Sequence, residues 1–410
     1  MIWVIGDIHG MFDALKRLVT TILSLERDDE KVEKIIFIGD YLDHGPASKE
    51  VVDYIVGLDF KTICLAGNHE DMALRFIRQD KKFFAESDNI WFGNGALDTY
   101  KSMFDRHDDA EFISELTVRL ETYLLSGQGT TLNAYSGLEL PKKYENFLKN
   151  LAYSHREVFS VDGAELAFTF CHALPDPRRP LEEQRFKNYR DFSKSLAKKS
   201  KKKPPKRLAS SIFGEDSYLG RLEASCLWRR DYDSDVGYGG EIVVHGHTPT
   251  LSYPRYFGRN NRSNLANQTA LFDPEKLLPF LYSLSSEAGY QAAANYKGEP
   301  LPKRPADYGP YGGAANSCRY ACPAEAGVEA INIDTGAVYG GALTALGLSS
   351  KRLSLGLMPL ITVQTSGGQR QSRNKAFLRT LAIDKLGGSK PGDPKPGEPV
   401  VHFENVEIIE

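Results

Sequence analysis

A chain of 410 residues is too long for one ordinary core, so two units, or one core with a large insertion, are expected. Hydrophobic residues at 41% and charged residues at 26% exclude wholesale disorder. With 51 Lys+Arg against 54 Asp+Glu, a formal net charge of −3 excludes a general nucleic-acid binder, so any basic patch must be local.

The opening Ile2-Trp3-Val4-Ile5-Gly6 reads as a buried strand. It lacks the basic and apolar regions of a signal peptide. Phe12, Leu15, Leu18, Val19, Ile22 and Leu25 form a helical stripe. Residues 35–39 read as a second strand, 51–56 as a helix, 62–66 as a third strand and 70–79 as another helix. This alternation predicts a mostly parallel sheet covered by helices. Residues 80–160 read as a helical cap. Strands are expected at 165–171 and 241–244, and at 329–333 and 338–345 around Asp334-Thr335-Gly336 as a hairpin-like unit. Residues 194–207 are a basic run, read as a solvated loop. Residues 251–328, rich in Tyr, Pro, Gly and Asn, read as a loop-rich insertion. Residues 387–399 form a Pro/Gly linker before a strand-like end at 400–409. No apolar run approaches the roughly 20 residues of a membrane helix. Five scattered cysteines fit free thiols in a reducing compartment, so the cytoplasm is the expected location. Cys318 and Cys322 have no second pair nearby that would complete a metal site.

Six of nine histidines fall in five short polar clusters, each at the end of an expected strand. These are Gly6-Asp7-Ile8-His9-Gly10, Gly39-Asp40-Tyr41-Leu42-Asp43-His44-Gly45, Gly67-Asn68-His69-Glu70, His172, and His245-Gly246-His247-Thr248. Ligands in open α/β sheets collect at the carboxyl ends of strands, so the clusters should converge. Packing alone does not explain five such clusters. Carboxylate and imidazole donors suit Mn, Fe and Zn, and a dinuclear metal site is expected. Asp7 and His9 can turn toward one ion, and Asp40 has two oxygens with which to bridge two. Asn68, His172 and His247 supply further donors.

The five motifs, in this order, resemble the calcineurin-like metallophosphoesterases. More narrowly they resemble the phosphoprotein-phosphatase branch, which includes bacterial Ser/Thr phosphatases and diadenosine tetraphosphatases. Further matching segments are Pro180-Leu181-Glu182-Glu183-Gln184, Leu227-Trp228-Arg229-Arg230 and Ile331-Asn332-Ile333-Asp334-Thr335-Gly336-Ala337. The resemblance implies an α/β fold with a layered sheet core and flanking helices, an α/β/β/α sandwich. It implies a catalytic domain from residues 1–250 plus 329–363, an insertion at 251–328 and a C-terminal extension at 364–410. It also implies that Asp7, His9 and Asp40 hold one metal and that Asp40, Asn68, His172 and His247 hold the other. His69 would be the general acid, oriented by Asp43, and Arg229, Arg230 and His44 would meet the substrate. Glu70 is read as a loop stabiliser.

Two positions depart from the family pattern. His44 stands where the family has an Arg that grips phosphate bidentately, and Ala66 stands where many members have another Arg. His44 either binds phosphate as a cation or makes room for a bulkier ester. The leading expectation is a phosphomonoesterase acting on a phosphorylated protein or small molecule, by in-line attack of a hydroxide held between two metals. The alternatives are hydrolysis of a diadenosine polyphosphate or a phosphodiester, and a metal-binding scaffold without catalysis. Neither a membrane nor a nucleic-acid partner is expected.

Overall fold

The first strand, β1 (Ile2–Ile5), has two apolar faces and meets two different cores. Trp3 and Ile5 pack with the helices, whereas Ile2 and Val4 pack with a second sheet. Side chains alternate across a strand, so a continuous apolar run marks a strand buried on both faces. The computed structural model describes residues 1–27, 30–80, 82, 90–106, 109–125, 139–176, 179–197, 217–229, 238, 240–249, 283–284, 330–339, 341–355, 357–365, 376–383 and 401–409. Most of the expected insertion, the linker 387–399, most of the basic run, Cys318 and Cys322 lie outside the described residues.

Helix α1 (Phe12–Ser24) follows, burying Ala14, Leu15, Leu18, Val19 and Ile22 along one stripe. Next come β2 (Lys34–Phe37), α2 (Ser48–Val56), β3 (Thr62–Cys64) and α3 (Asn68–Ile77). Strand β1 pairs parallel with β2, and β2 with β3, as the alternation predicted. Helices α4 (Ile90–Gly93), α5 (Ala96–Met103), α6 (Ala110–Leu125) and α7 (Lys142–Asn150) occupy the stretch expected to be a helical cap.

That stretch ends differently from expectation, because β4 (His155–Val161) is a strand paired antiparallel with β5 (Ala164–Phe170). Its alternating exposure is that of an edge strand covered on one face only. Helices α8 (Tyr189–Ala197) and α9 (Tyr218–Glu223) precede β6 (Ile242–His245), which lies parallel to β5. A two-residue strand β7 (Ser283–Leu284) pairs antiparallel with β8 (Ala330–Asn332), and β8 lies parallel to β6.

The chain then enters β9 (Ala342–Leu348), which runs antiparallel to β1 in the other sheet. The expected hairpin around Asp334-Thr335-Gly336 is therefore not formed. Ile331 and Leu346 belong to the same core between the sheets, and their strands lie in opposite sheets rather than paired. After α10 (Ser350–Leu353), strands β10 (Leu357–Gln364), β11 (Ala376–Ile383) and β12 (Val401–Ile409) extend the first sheet as an antiparallel meander. Sequence reading missed β10 and β11. Pro359 argues against an interior strand. Here it precedes the first β9 partner, Leu360, and its ring lies against Gly347, where no side chain competes for space.

The result is a seven-stranded sheet, β12-β11-β10-β9-β1-β2-β3, stacked on a five-stranded sheet, β4-β5-β6-β8-β7. Phe168, Phe170, Ile242 and Val244 meet Val4, Ile36, Leu346 and Leu360 between them. No described helix is long and apolar enough to cross a membrane, and Cys64, Cys171 and Cys226 are free thiols.

A buried ionic cluster joins α3 to α8 and α9. Fully buried Arg75 donates from Nε to Asp71 Oδ2 at 2.6 Å and from Nη1 to Asp80 Oδ2 at 2.8 Å, and it also bonds the Tyr218 hydroxyl. Its guanidinium lies over the rings of Tyr189 and Phe192. Asp71 in turn accepts from the Tyr153 hydroxyl at 2.8 Å. Removing one partner of such a network leaves an uncompensated buried charge. Arg75→Met should lower unfolding free energy by about 3–5 kcal/mol in urea denaturation. A change lost in the error of the measurement would show that Asp71 is compensated by other groups.

Candidate metal centre

Strands β1, β2 and β3 of one sheet and β5, β6 and β8 of the other end in the loops that carry the polar clusters. The loops are held in unusual backbone conformations. His9, Asp40, Asp43, His44 and His247 all have positive φ, between 46° and 71°. Non-glycine residues in that region cost of order 1–3 kcal/mol each and persist only where their surroundings enforce them. Glu70 supplies much of that enforcement. Its carboxylate accepts from the amides of Asp40 (2.8 Å), Tyr41 (2.8 Å), Leu42 (3.1 Å) and Gly67 (2.8 Å). It thus ties the loop after β2 to the start of α3. The Asp40 carbonyl accepts from the amides of Ile8 and His9, tying in the loop after β1.

Asp7, His9, Asp40, Asn68, His172 and His247 are brought together and buried. Two groups in this set, Asp7–His9–Asp40 and Asp40–His172–His247, each have their ligand atoms within 4.8 Å of one another. Asp40 faces both ways: Oδ2 lies 3.2 Å from His9 Nε2, and Oδ1 lies 3.4 Å from His172 Nε2.

Each histidine has one ring nitrogen on a backbone carbonyl: His9 Nδ1 on Leu42 at 2.8 Å, His172 Nδ1 on Ile38 at 3.1 Å, and His247 Nε2 on Trp228 at 3.2 Å. Burial opposes charge on His9, but Asp40 raises its imidazole to about 9, so an ion at its Nε2 must displace a proton. A nitrogen donating to a carbonyl carries the ring proton, so in a neutral ring the other nitrogen presents a lone pair. Those of His172 and His247 lie 2.8 and 2.9 Å from the same Asn68 Oδ1. Burial is the largest influence on His172, and with His69 and His9 it pushes the imidazole down to about 4 despite Asp40. Its ring is therefore neutral, and acceptors face acceptors around Asn68.

Asp7 gives the same indication. Its Oδ1 is buried with no hydrogen-bond partner among the described residues. Burial, Asp334 and Asp40 hold its carboxyl well above the usual carboxylate range. A Cβ on Gly246 would collide with Asp7 Oδ1, and one on Gly67 with Asp40 Oδ1, so both glycines leave room for the carboxylates. Converging lone pairs, an orphaned carboxylate oxygen and carbonyl-anchored imidazoles are what divalent cations require of a protein. The residues present fit such ions.

Beside this set, His69 Nδ1 lies 2.7 Å from Asp43 Oδ2. Asp43 is fully buried and also accepts from Trp91 Nε1 at 2.9 Å and from the Thr99 hydroxyl. Sequence reading missed Trp91 and Thr99, because α4 and α5 show only a packing pattern. It also saw Asp334 only as a turn residue. Asp334 is buried and acts electrostatically on Asp7; its place after β8 was the available signal.

His44 points into the site. Its ring lies edge-on to those of His9 and His69, with centroids 5.1 and 5.0 Å away. Burial, His9 and His69 push its imidazole down to about 3, against the pull of Asp40. Arg229 is buried with Nη1 donating to the Pro175 carbonyl at 2.7 Å. Arg230 lies outside the described residues.

Two stacked sheets thus carry acidic and histidine loops at the carboxyl ends of their strands, with a donor set that suits divalent cations. Residues 1–251 match the family described as calcineurin-like phosphoesterase, and the chain belongs to that family. Serine/threonine-protein phosphatase 2 of Escherichia coli (strain K12) is 32% identical over 94 residues, which cover 23% of this chain and 38% of that protein. A symmetrical bis(5'-nucleosyl)-tetraphosphatase of Nitrosococcus oceani is 35% identical over 69 residues, covering 17% of this chain and 23% of that protein. The chain thus matches well under half the length of these curated relatives. The solved structure of a metallophosphoesterase from Sphaerobacter thermophilus aligns over 60% of each chain, with 14% identity and a TM-score of 0.23.

Proposed function

We propose that this chain hydrolyses phosphomonoesters with two divalent ions, manganese foremost. Asp7, His9 and Asp40 hold one ion, and Asp40, Asn68, His172 and His247 hold the other. Two such ions, when bound, polarise a phosphoryl group and lower the pKa of a water beside them. The observation that carries the catalytic reading is the Asp43–His69 pair at 2.7 Å beside the converging ligands. A purely metal-binding scaffold has no need of it.

Asp43 is kept as an acceptor by Trp91 and Thr99, so it orients His69 through Nδ1. The second ring nitrogen, Nε2, then donates its proton to the departing oxygen. The catalytic unit in this reading is residues 1–250 with 329–363, and residues 251–328 are an insertion. The extension at 364–410 adds β11 and β12 to the first sheet.

A substrate panel with manganese tests the reading: an aryl phosphate, a phosphopeptide, a dinucleoside polyphosphate and a bis-aryl phosphate. Turnover of the first two ahead of the others is expected. Preference for the dinucleoside polyphosphate or the diester would replace the monoesterase reading. Within the panel, His69→Gln should lower kcat on the phosphopeptide by about 10²–10⁴-fold. The loss on an aryl phosphate with a good leaving group should be smaller, since that oxygen needs less protonation. Equal losses on both would remove His69 from the proton-transfer role.

A further inference from the structure

His44 stands where the resemblance implies an arginine, and the structure gives its imidazole two partners of its own kind. The rings of His9, His44 and His69 stand mutually edge-on, with centroid separations of 4.7 Å (His9 to His69), 5.0 Å (His44 to His69) and 5.1 Å (His9 to His44). One nitrogen from each lies within 4.8 Å of those from the other two. Nδ1 of His9 is engaged by the Leu42 carbonyl and Nδ1 of His69 by Asp43. Both rings therefore turn Nε2 to the shared space. Asp40 Oδ2 borders that space, 3.2 Å from His9 Nε2 and 3.9 Å from His69 Nε2.

The seat is held in place by the backbone. His9 and His44 both have left-handed φ, and His69 is the second residue of α3. Gly95 packs directly on the amide of His44, where a Cβ would lie only 2.7 Å from that nitrogen. Three converging imidazoles with outer hydrogen bonds to a carbonyl and a carboxylate are a ligand set for zinc, which accepts tetrahedral geometry with nitrogen donors. An arginine at position 44 has no lone pair to offer, so the seat depends on this replacement.

We propose that His9, His44 and His69 form an additional seat for a single zinc ion. This seat competes with the one formed by Asp7, His9 and Asp40. Competition follows because His9 has only Nε2 to give and both seats need it. Zinc in the triad therefore displaces the ion bound beside Asp7. It also withholds His69 Nε2 from any other use, so zinc should inhibit turnover. That last consequence rests on the role proposed for His69, but the binding does not.

The test is a zinc titration of the full chain loaded with manganese. Zinc affinity is read by competition with a chelator, and released Mn²⁺ by its electron paramagnetic resonance signal. One Mn²⁺ should be released per high-affinity zinc. His44→Ala and His44→Arg should each weaken zinc binding by at least about tenfold. Thermal melting of both variants establishes that they are folded. Asp7→Asn should weaken manganese binding without weakening zinc. Unchanged zinc affinity in a folded His44 variant would overturn the proposal, as would zinc affinity that falls with manganese affinity in Asp7→Asn. Because neither readout is turnover, zinc binding can fail or succeed independently of the phosphomonoesterase reading.

Discussion

Asp40→Asn is expected to retain at most one metal ion and to lose activity by several orders of magnitude. The two carboxylate oxygens point to different histidines, Oδ2 to His9 and Oδ1 to His172. An amide keeps one acceptor and turns an N–H₂ donor toward one of the two ligand sets. It also removes the negative charge at the centre. Burial opposes ionisation of Asp40, but the imidazoles around it hold its carboxyl well below the usual carboxylate range. Metal analysis of the purified variant, with kinetics on an aryl phosphate, checks the result. Two ions and near-parental turnover would refute a bridging role. Retention of both ions with turnover abolished would instead give Asp40 a role in the reaction apart from holding metal.

Glu70→Gln is expected to be nearly as damaging, although Glu70 is not among the proposed ligands. Oε1 accepts from Tyr41 and Leu42, and Oε2 accepts from Asp40 and Gly67. Whichever way the new amide is turned, two buried backbone donors face an N–H₂ group. Each orphaned donor costs about 1–3 kcal/mol. The loop from Asp40 to His44 has left-handed residues at Asp40, Asp43 and His44, so it has little reserve once its anchor is weakened. Urea denaturation should show the lost stability, and metal affinity should fall with it because Asp40 lies on that loop. Parental stability with full metal content would mean that the loop is held from elsewhere.

The site was more legible than the scaffold around it. Asp7, His9, Asp40, Asn68, His172 and His247 carry chemistry in their side chains and sit in short clusters at strand ends, so residue type and spacing predict that they converge, as they do. Glu70 was legible as a loop residue because it stands at the third position of α3, where a carboxylate reaches back to the amide before the helix. Trp91 and Thr99 were not legible. They reach Asp43 across 48 and 56 residues of chain, and in their own helices they look like ordinary packing residues.

Local pattern determined which strands exist in the first 79 residues, because a strand buried on both faces must be apolar throughout and a helix on it must carry a stripe. It also singled out the proposed donor set, because only certain side chains can hold a divalent ion. Tertiary structure alone decided which strand lies beside which. Strands β8 and β9 are close in sequence and could have paired, yet they belong to opposite sheets because Ile331 and Leu346 are needed in one core. It also decided the surroundings of His44. The resemblance implies only that a histidine stands where the family has an arginine. That this histidine meets two others edge-on, in a pocket that disfavours its charge, follows from left-handed turns and close packing that no local pattern encodes.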